Sequence, residues 1–148
     1  MLNRVELFEA IDRLSSPRSG EGALLVVRMR NLRDYEAIFG YDAGDYLVQS
    51  FEARLRACLR EVDVAVRIGE CDFGVMLPGL QDRNHAALAA AKLARAFQEP
   101  LQVGNRPAWV NVAVGACTVA DAATPVALCR QADAACTLAW QLRERYAL

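Results

Sequence analysis

Two arginines, Arg28 and Arg30, end an apolar run, and their guanidinium forks suit phosphate or carboxylate oxygens. They allow two readings. Either the cations neutralise carboxylates of this chain, or the pair grips an anion such as a phosphate. A second group is the tight turn Gly69-Glu70-Cys71-Asp72, followed by Phe73. A third is Arg60-Glu61-Val62-Asp63, an R-x-x-D pattern. On its own this reads as an ion pair at a helix C-terminus, where a cation is welcome.

The cysteines do less. Cys58, Cys71, Cys117, Cys129 and Cys136 are odd in number and form no C-x-x-C pair. Reduced thiols in a cytoplasmic protein are expected, without metal or other cofactor. His85 stands near a helix start with no partner ligands and reads as a surface residue.

The bulk properties exclude several classes. A chain of 148 residues, 54% hydrophobic and 24% charged, is long enough for one domain (1–148) with a real core and is not disordered. No apolar run is long enough to cross a membrane, and Met1 to Glu6 lack the apolar core of a secretion signal. A net charge of −1 argues against nucleic-acid binding.

The elements that position these residues follow from periodicity. Residues 3–15 have helical apolar spacing. Ala23 to Met29 is an apolar, β-branched run and reads as a central strand. A helix is expected from Leu32 to Phe39, stopped by Gly40. Asp42 would cap the next helix, with Tyr46, Leu47, Phe51, Leu55, Cys58 and Leu59 as its buried stripe. Val62–Ile68 and Phe73–Leu77 read as strands around the turn, with Gly69 supplying a permissive backbone and Pro78-Gly79 ending the pair. Asp82 or Asn84 starts an alanine-rich helix reaching Gln98 and closed by Pro100. Leu101–Val103 and Ala108–Val119 read as a hairpin about Gly104-Asn105. Thr124-Pro125 opens a last helix toward Arg145. Trp109 is expected in packing, as are Tyr35, Tyr41 and Tyr46, which could instead line a cleft entrance; Arg54, Arg56 and Arg60 read as a solvated helix face or as an anion-binding surface beside Asp63. The fold class is α+β, with a mostly antiparallel central sheet flanked by helices.

Several segments, in order, resemble the GGDEF domain of bacterial cyclic-di-GMP signalling. They are Leu2-Asn3-Arg4 with Leu7-Phe8; Phe39-Gly40-Tyr41-Asp42-Ala43-Gly44-Asp45-Tyr46-Leu47; Arg67-Ile68-Gly69-Glu70-Cys71-Asp72-Phe73; and Cys129-Arg130-Gln131-Ala132-Asp133. Together they cover essentially the whole chain. The resemblance implies a nucleotidyl-cyclase-like palm with a five-stranded sheet and a small hairpin.

It also implies chemistry. A diguanylate cyclase joins two GTP molecules held by a dimer, and divalent metal on carboxylates neutralises the triphosphate. The family places an acidic residue at the end of the first strand and another at the third signature position; this chain has Arg28 and Cys71, with Arg30 at the next strand carboxylate. Glu70 replaces the second signature glycine, and its charge repels a triphosphate. Trp140 and Glu144 stand at the positions of a phosphate-binding Lys and Arg. Of the guanine-binding Asn and Asp, Glu36 replaces the first and Asp45 retains the second. Arg60 and Asp63 lie where the family's inhibitory site binds cyclic-di-GMP.

The expected function is therefore that of an inactive GGDEF domain with Arg28, Glu36 and Asp45 in a vestigial nucleotide cleft. There Arg28 would replace the metal, neutralising Glu36, Glu70 or Asp72 in a sealed cleft. The other reading, in which Arg28 and Arg30 grip a nucleotide phosphate without metal, is opposed by Glu70 and Trp140. It would act as a regulatory or interaction module, packing against a neighbouring EAL or sensor domain or forming a homodimer. Alternatives are a cyclic-di-GMP receptor through Arg60 and Asp63, and an active cyclase supported by Asp45 and Asp72.

Overall fold

The first strand, β1 (Gly22–Met29), is apolar at almost every position because it is covered on both faces. The computed structural model of the chain describes Val5, Glu9 and residues 22–80, 82–122 and 124–148. The helix expected over 3–15 lies outside them, apart from Val5 and Glu9, which are helical.

After β1 come α1 (Leu32–Phe39), α2 (Tyr41–Ala57), β2 (Val64–Arg67), β3 (Asp72–Pro78) and α3 (Arg83–Ala96). They are followed by β4 (Leu101–Val103), β5 (Arg106–Ala108), β6 (Val112–Thr118), α4 (Pro125–Leu142) and β7 (Tyr146–Ala147). The main sheet has five strands in the order β2-β3-β1-β6-β7, and β4-β5 form a separate two-stranded ribbon. All main-sheet pairings are antiparallel except β6 with β7. The α+β class, five-stranded sheet and small hairpin are as expected.

Alternation along β1 divides the core. Ala23, Leu25, Val27 and Met29 join Leu47, Phe51 and Leu55 of α2 and Ala86, Ala90 and Leu93 of α3. Phe51 is fully buried and stacks on Phe97 at 4.3 Å and on Phe73 at 5.5 Å. Leu24 and Val26 pack on the other face against Leu128, Ala132, Cys136 and Ala139 of α4. The same alternation puts Arg28 on the face that α4 covers.

Helix α4 is small-sided because it lies almost on the backbone of β6. A Cβ on Gly115 would stand 2.0 Å from the Cys136 nitrogen and 2.3 Å from the Ala132 oxygen. Thr124 caps α4 by accepting from the Ala127 amide at 3.1 Å, and Pro125 occupies its first turn. The helix ends at Leu142, short of the expected Arg145. Arg143 takes a left-handed φ of 57°, and the Glu144 amide donates back to Ala139 O at 2.9 Å. That conformation costs a residue bearing a side chain about 1 kcal/mol. The reversal lets Tyr146–Ala147 pair with β6, a strand too short to show in the sequence.

Other expectations change. Asp42 does not cap α2, which starts at Tyr41 directly after Gly40, a residue with φ 91° and no side-chain cap. Tyr46 is exposed, as is Tyr41, whereas Tyr35 is buried. Gly69 is not among the positive-φ glycines; it spares the Asp72 carboxylate, which would lie 3.3 Å from a Cβ there. The strand expected over 108–119 divides: Arg106–Ala108 pairs with β4, and Val112–Thr118 enters the main sheet. Trp109, between them, is exposed. Asp82 is the cap of α3, accepting from the His85 amide at 3.0 Å.

Arg54 and Arg56 do more than solvate a face. Arg54 donates to Ala96 O at 2.8 Å, Glu99 O at 3.1 Å and Pro100 O at 3.0 Å, bolting α2 to the C-terminal end of α3. Arg56 reaches Ala65 O at 3.1 Å. Arg54→Ala is expected to cost about 1.5 kcal/mol in denaturant unfolding, since these carbonyls lose charged donors. A cost near zero would mean that water replaces the fork without loss.

Burial also produces a pH dependence. Cys136 is fully buried, its thiol donates to Ala113 O at 3.4 Å, and desolvation pushes its pKa from 9.0 up to about 11. The folded state then holds a proton that the unfolded chain releases. This contribution is intact below pH 9.0 and is lost as pH rises through about 11, for about 3 kcal/mol. Urea titrations across that window should show a shallower decline for Cys136→Ala; an identical decline would assign the alkaline loss to other groups.

Candidate functional site

The ends of β1, β3 and α4 converge on one charged cluster. The register of β1 and β3 sets Arg28 opposite Asp72. Arg28 Nε donates to Asp72 Oδ1 at 2.8 Å, and its NH2 reaches Asp133 Oδ1 on α4 at 2.9 Å. Weaker contacts of 3.4 Å run from NH2 to Asp72 Oδ2 and from NH1 to Thr137 Oγ1. Arg28 and Asp72 side chains are only 20% and 25% exposed, so water screens their pairing poorly. Burial opposes the Arg28 charge, yet the hydrogen bond to Asp72 and the nearby carboxylates outweigh it and raise the pKa above its ordinary value.

Arg30 is held separately. Its guanidinium lies 4.2 Å from the centre of the Trp140 ring, and it donates to the carbonyls of Ala139 and Trp140. Trp140 thus packs beside both arginines, with Arg28 at 6.0 Å from the same ring. These groups border a cleft of 340 Å³ whose other walls include Arg33, Glu70 and Cys71.

The hairpin turn is pinned by Arg67, which donates to Gly69 O at 2.9 Å and to Glu70 O. Glu70 points outward, its carboxylate 4.0 Å from the exposed Arg33. Of the three partners expected for Arg28, only Asp72 pairs with it. Glu36 and Glu70 do not, and Asp133 takes the second place. Burial first, then the Asp72 charge, raises the Cys71 thiol pKa, so this side chain is a neutral thiol at pH 7.

The remaining candidates are scattered. Glu36 folds against α2, where a Cβ on Gly44 would meet its Cγ at 2.6 Å. Asp45 is exposed beside Arg67 and Glu52 in a separate recess of 200 Å³. Glu36 thus lies beside the start of α2, and Arg28 and Asp45 line two different recesses. Arg60 and Asp63 do meet: Arg60 NH2 lies 2.7 Å from Asp63 Oδ1, and the same nitrogen donates to Pro78 O at 2.9 Å. The Asp63 side chain is only 3% exposed and also accepts from the Arg60 amide at 2.7 Å.

The Arg28 cluster does not fit the divalent ion of a cyclase. Arg28 can only donate, Cys71 is a neutral soft donor, and Asp72 is already occupied by the guanidinium. Among the described residues no group of three or more His, Cys, Asp or Glu side chains could hold a metal ion. No helix among them is long and apolar enough to cross a membrane.

Comparison with known proteins places this geometry. The chain is 27% identical over 119 residues to the diguanylate cyclase TpbB of Pseudomonas aeruginosa, covering 79% of this chain and 27% of that protein. It is 26% identical over 137 residues to the bifunctional diguanylate cyclase/cyclic di-GMP phosphodiesterase MucR of the same species, covering 90% of this chain and 20% of MucR. The chain thus spans 27% and 20% of the lengths of these relatives. Its fold superposes on the GGDEF domain of TpbB with a TM-score of 0.90 at 24% identity, covering 99% of this chain and 96% of that one. An EAL/GGDEF domain protein from M. capsulatus gives 0.82 at 27% identity, covering 98% and 96%. Residues 1–144 match the family described as "Diguanylate cyclase, GGDEF domain", and with the hairpin and palm sheet in place the chain belongs to the GGDEF domain family of cyclic-di-GMP signalling.

Proposed function

We propose that this GGDEF domain makes no cyclic-di-GMP and works as a regulatory or interaction module. One observation carries the reading: the Arg28 guanidinium joins Asp72 and Asp133 at the end of β1, where the family resemblance implies a metal-binding carboxylate. A fixed cation with two carboxylate partners satisfies the charges that a divalent ion would otherwise satisfy. The Glu70 carboxylate further reduces the attraction for a triphosphate, and the Trp140 ring takes up room in the cleft. Such a domain transmits a signal by packing against a neighbouring EAL or sensor domain, or against a second copy of itself. That one relative, MucR, combines cyclase and phosphodiesterase activities agrees with a neighbour of this kind.

Purified domain incubated with GTP and Mg²⁺ or Mn²⁺ should yield no cyclic-di-GMP by chromatography. Measurable product, in amounts that scale with the protein, would overturn the proposal.

A receptor role through Arg60 and Asp63 has one feature in its favour, the 53% exposure of the Arg60 side chain. Against it, Asp63 is buried and takes the fork that a guanine would need, so a ligand has to break the pair. Calorimetry with cyclic-di-GMP on the wild type and Arg60→Ala separates the readings. No heat with the wild type rejects the receptor, and heat lost in the variant supports it.

A further inference from the structure

A second cleft, of 560 Å³, opens beyond Arg30, between the start of β6, the end of α3 and the reversal after α4. None of Glu70, Cys71 or Asp72 lines it. Arg30, Arg143 and Arg145 do, with Glu144 as the one carboxylate among its lining residues. Arg145 donates to the Gln98 side-chain oxygen once that amide is oriented to accept. Among the described residues no carboxylate lies within 4.0 Å of any of the three guanidiniums. Burial and the facing charge of Arg143 both lower the Arg30 pKa, as expected where like charges lack a counter-ion.

Two further features set this cleft apart from an ordinary basic surface. Arg143 occupies the left-handed position that glycine adopts most easily, so a long cationic side chain is kept at a backbone cost. Trp109 lines the same cleft with 65% of its surface exposed, while its backbone is fixed. The Trp109 carbonyl accepts from Asn31 Nδ2 at 3.0 Å, and Asn31 Oδ1 accepts from the Asn111 amide at 3.3 Å. An exposed indole on a pinned backbone offers a face on which a flat ring can stack.

We propose that this cleft binds a phosphorylated aromatic ligand of nucleoside diphosphate size, with its phosphates on Arg30, Arg143 and Arg145 and its ring on Trp109. Guanidinium forks match phosphate oxygens bidentately, and the volume falls in the range of small-ligand pockets. The site is independent of the silent-cyclase reading, because it needs neither metal nor the signature hairpin.

The test is calorimetry of the whole chain with ADP, inorganic pyrophosphate and adenosine. ADP should bind, pyrophosphate should bind about tenfold more weakly for want of a stacking ring, and adenosine should give no heat. Affinity for ADP should fall as salt rises. Arg143→Gly relieves the left-handed backbone, so the variant stays folded while ADP affinity drops about tenfold. Trp109→Ala should bring ADP down to the affinity of pyrophosphate. Absence of ADP binding, equal affinity for ADP and pyrophosphate in the wild type, or indifference to Arg143→Gly each overturns the proposal.

Discussion

Gly115→Ala is expected to unfold this domain or leave α4 undocked, at a cost on the order of 4 kcal/mol or more. The added methyl would meet the Cys136 nitrogen at 2.0 Å and the Ala132 oxygen at 2.3 Å, both backbone atoms of α4. No rotamer change relieves a clash with backbone, so the helix must move away. Moving it opens the cluster of Leu24, Val26, Met76, Leu128, Ala132, Cys136 and Ala139. A loss of this size is comparable to the whole stability of a small domain. Far-UV circular dichroism during urea unfolding measures it directly. A midpoint close to the wild type would show that α4 sits further from β6 than described. The consequence reaches the site, because α4 carries Asp133, Thr137 and Trp140 to the arginines of β1.

Replacing Arg28 should have the next largest effect. Arg28→Ala leaves Asp72 and Asp133 without their shared cation and is expected to cost about 2 kcal/mol, below the figure for a fully buried pair because Asp133 is 57% exposed. Arg28→Asp should cost more, since it puts a third carboxylate directly across the β1–β3 pairing from Asp72. Millimolar Mn²⁺ should then raise the melting temperature of Arg28→Asp and leave the wild type unchanged, as a cation that binds only the folded variant stabilises it. Turnover of GTP should remain absent in this variant, because Glu70 and Trp140 are still in place. A wild type that Mn²⁺ stabilises equally would contradict a guanidinium acting as the resident cation.

Some of this arrangement was readable along the chain. Apolar runs, a capping threonine and proline punctuation place β1, α1, α3 and α4 closely, since local periodicity and caps act within a few residues. Asp72 was one of three carboxylates expected to neutralise Arg28, and only the register of β1 with β3 selected it. Asp133 was visible as part of a motif but not as a partner of Arg28, because they are 105 residues apart and only helix docking unites them. The bolt from Arg54 to the end of α3 and the exposure of Trp109 are of the same kind. Each depends on where another element packs, which intrinsic pattern does not encode.

The residue types alone pointed to the family and the palm architecture, and to the substitutions on which the proposed loss of activity rests. An arginine cannot serve as a metal ligand, and a glutamate in the place of a phosphate-cradling glycine repels a phosphate, wherever the chain carries them. Only the tertiary structure decided what these residues do instead. It joined Arg28 to Asp72 and Asp133, laid Arg30 against Trp140, and turned Arg143 and Arg145 into a pocket beside Trp109. The physical reason is range. Side-chain chemistry and backbone periodicity are local, whereas ion pairs and clefts form between distant segments brought together by burial of the two faces of one sheet.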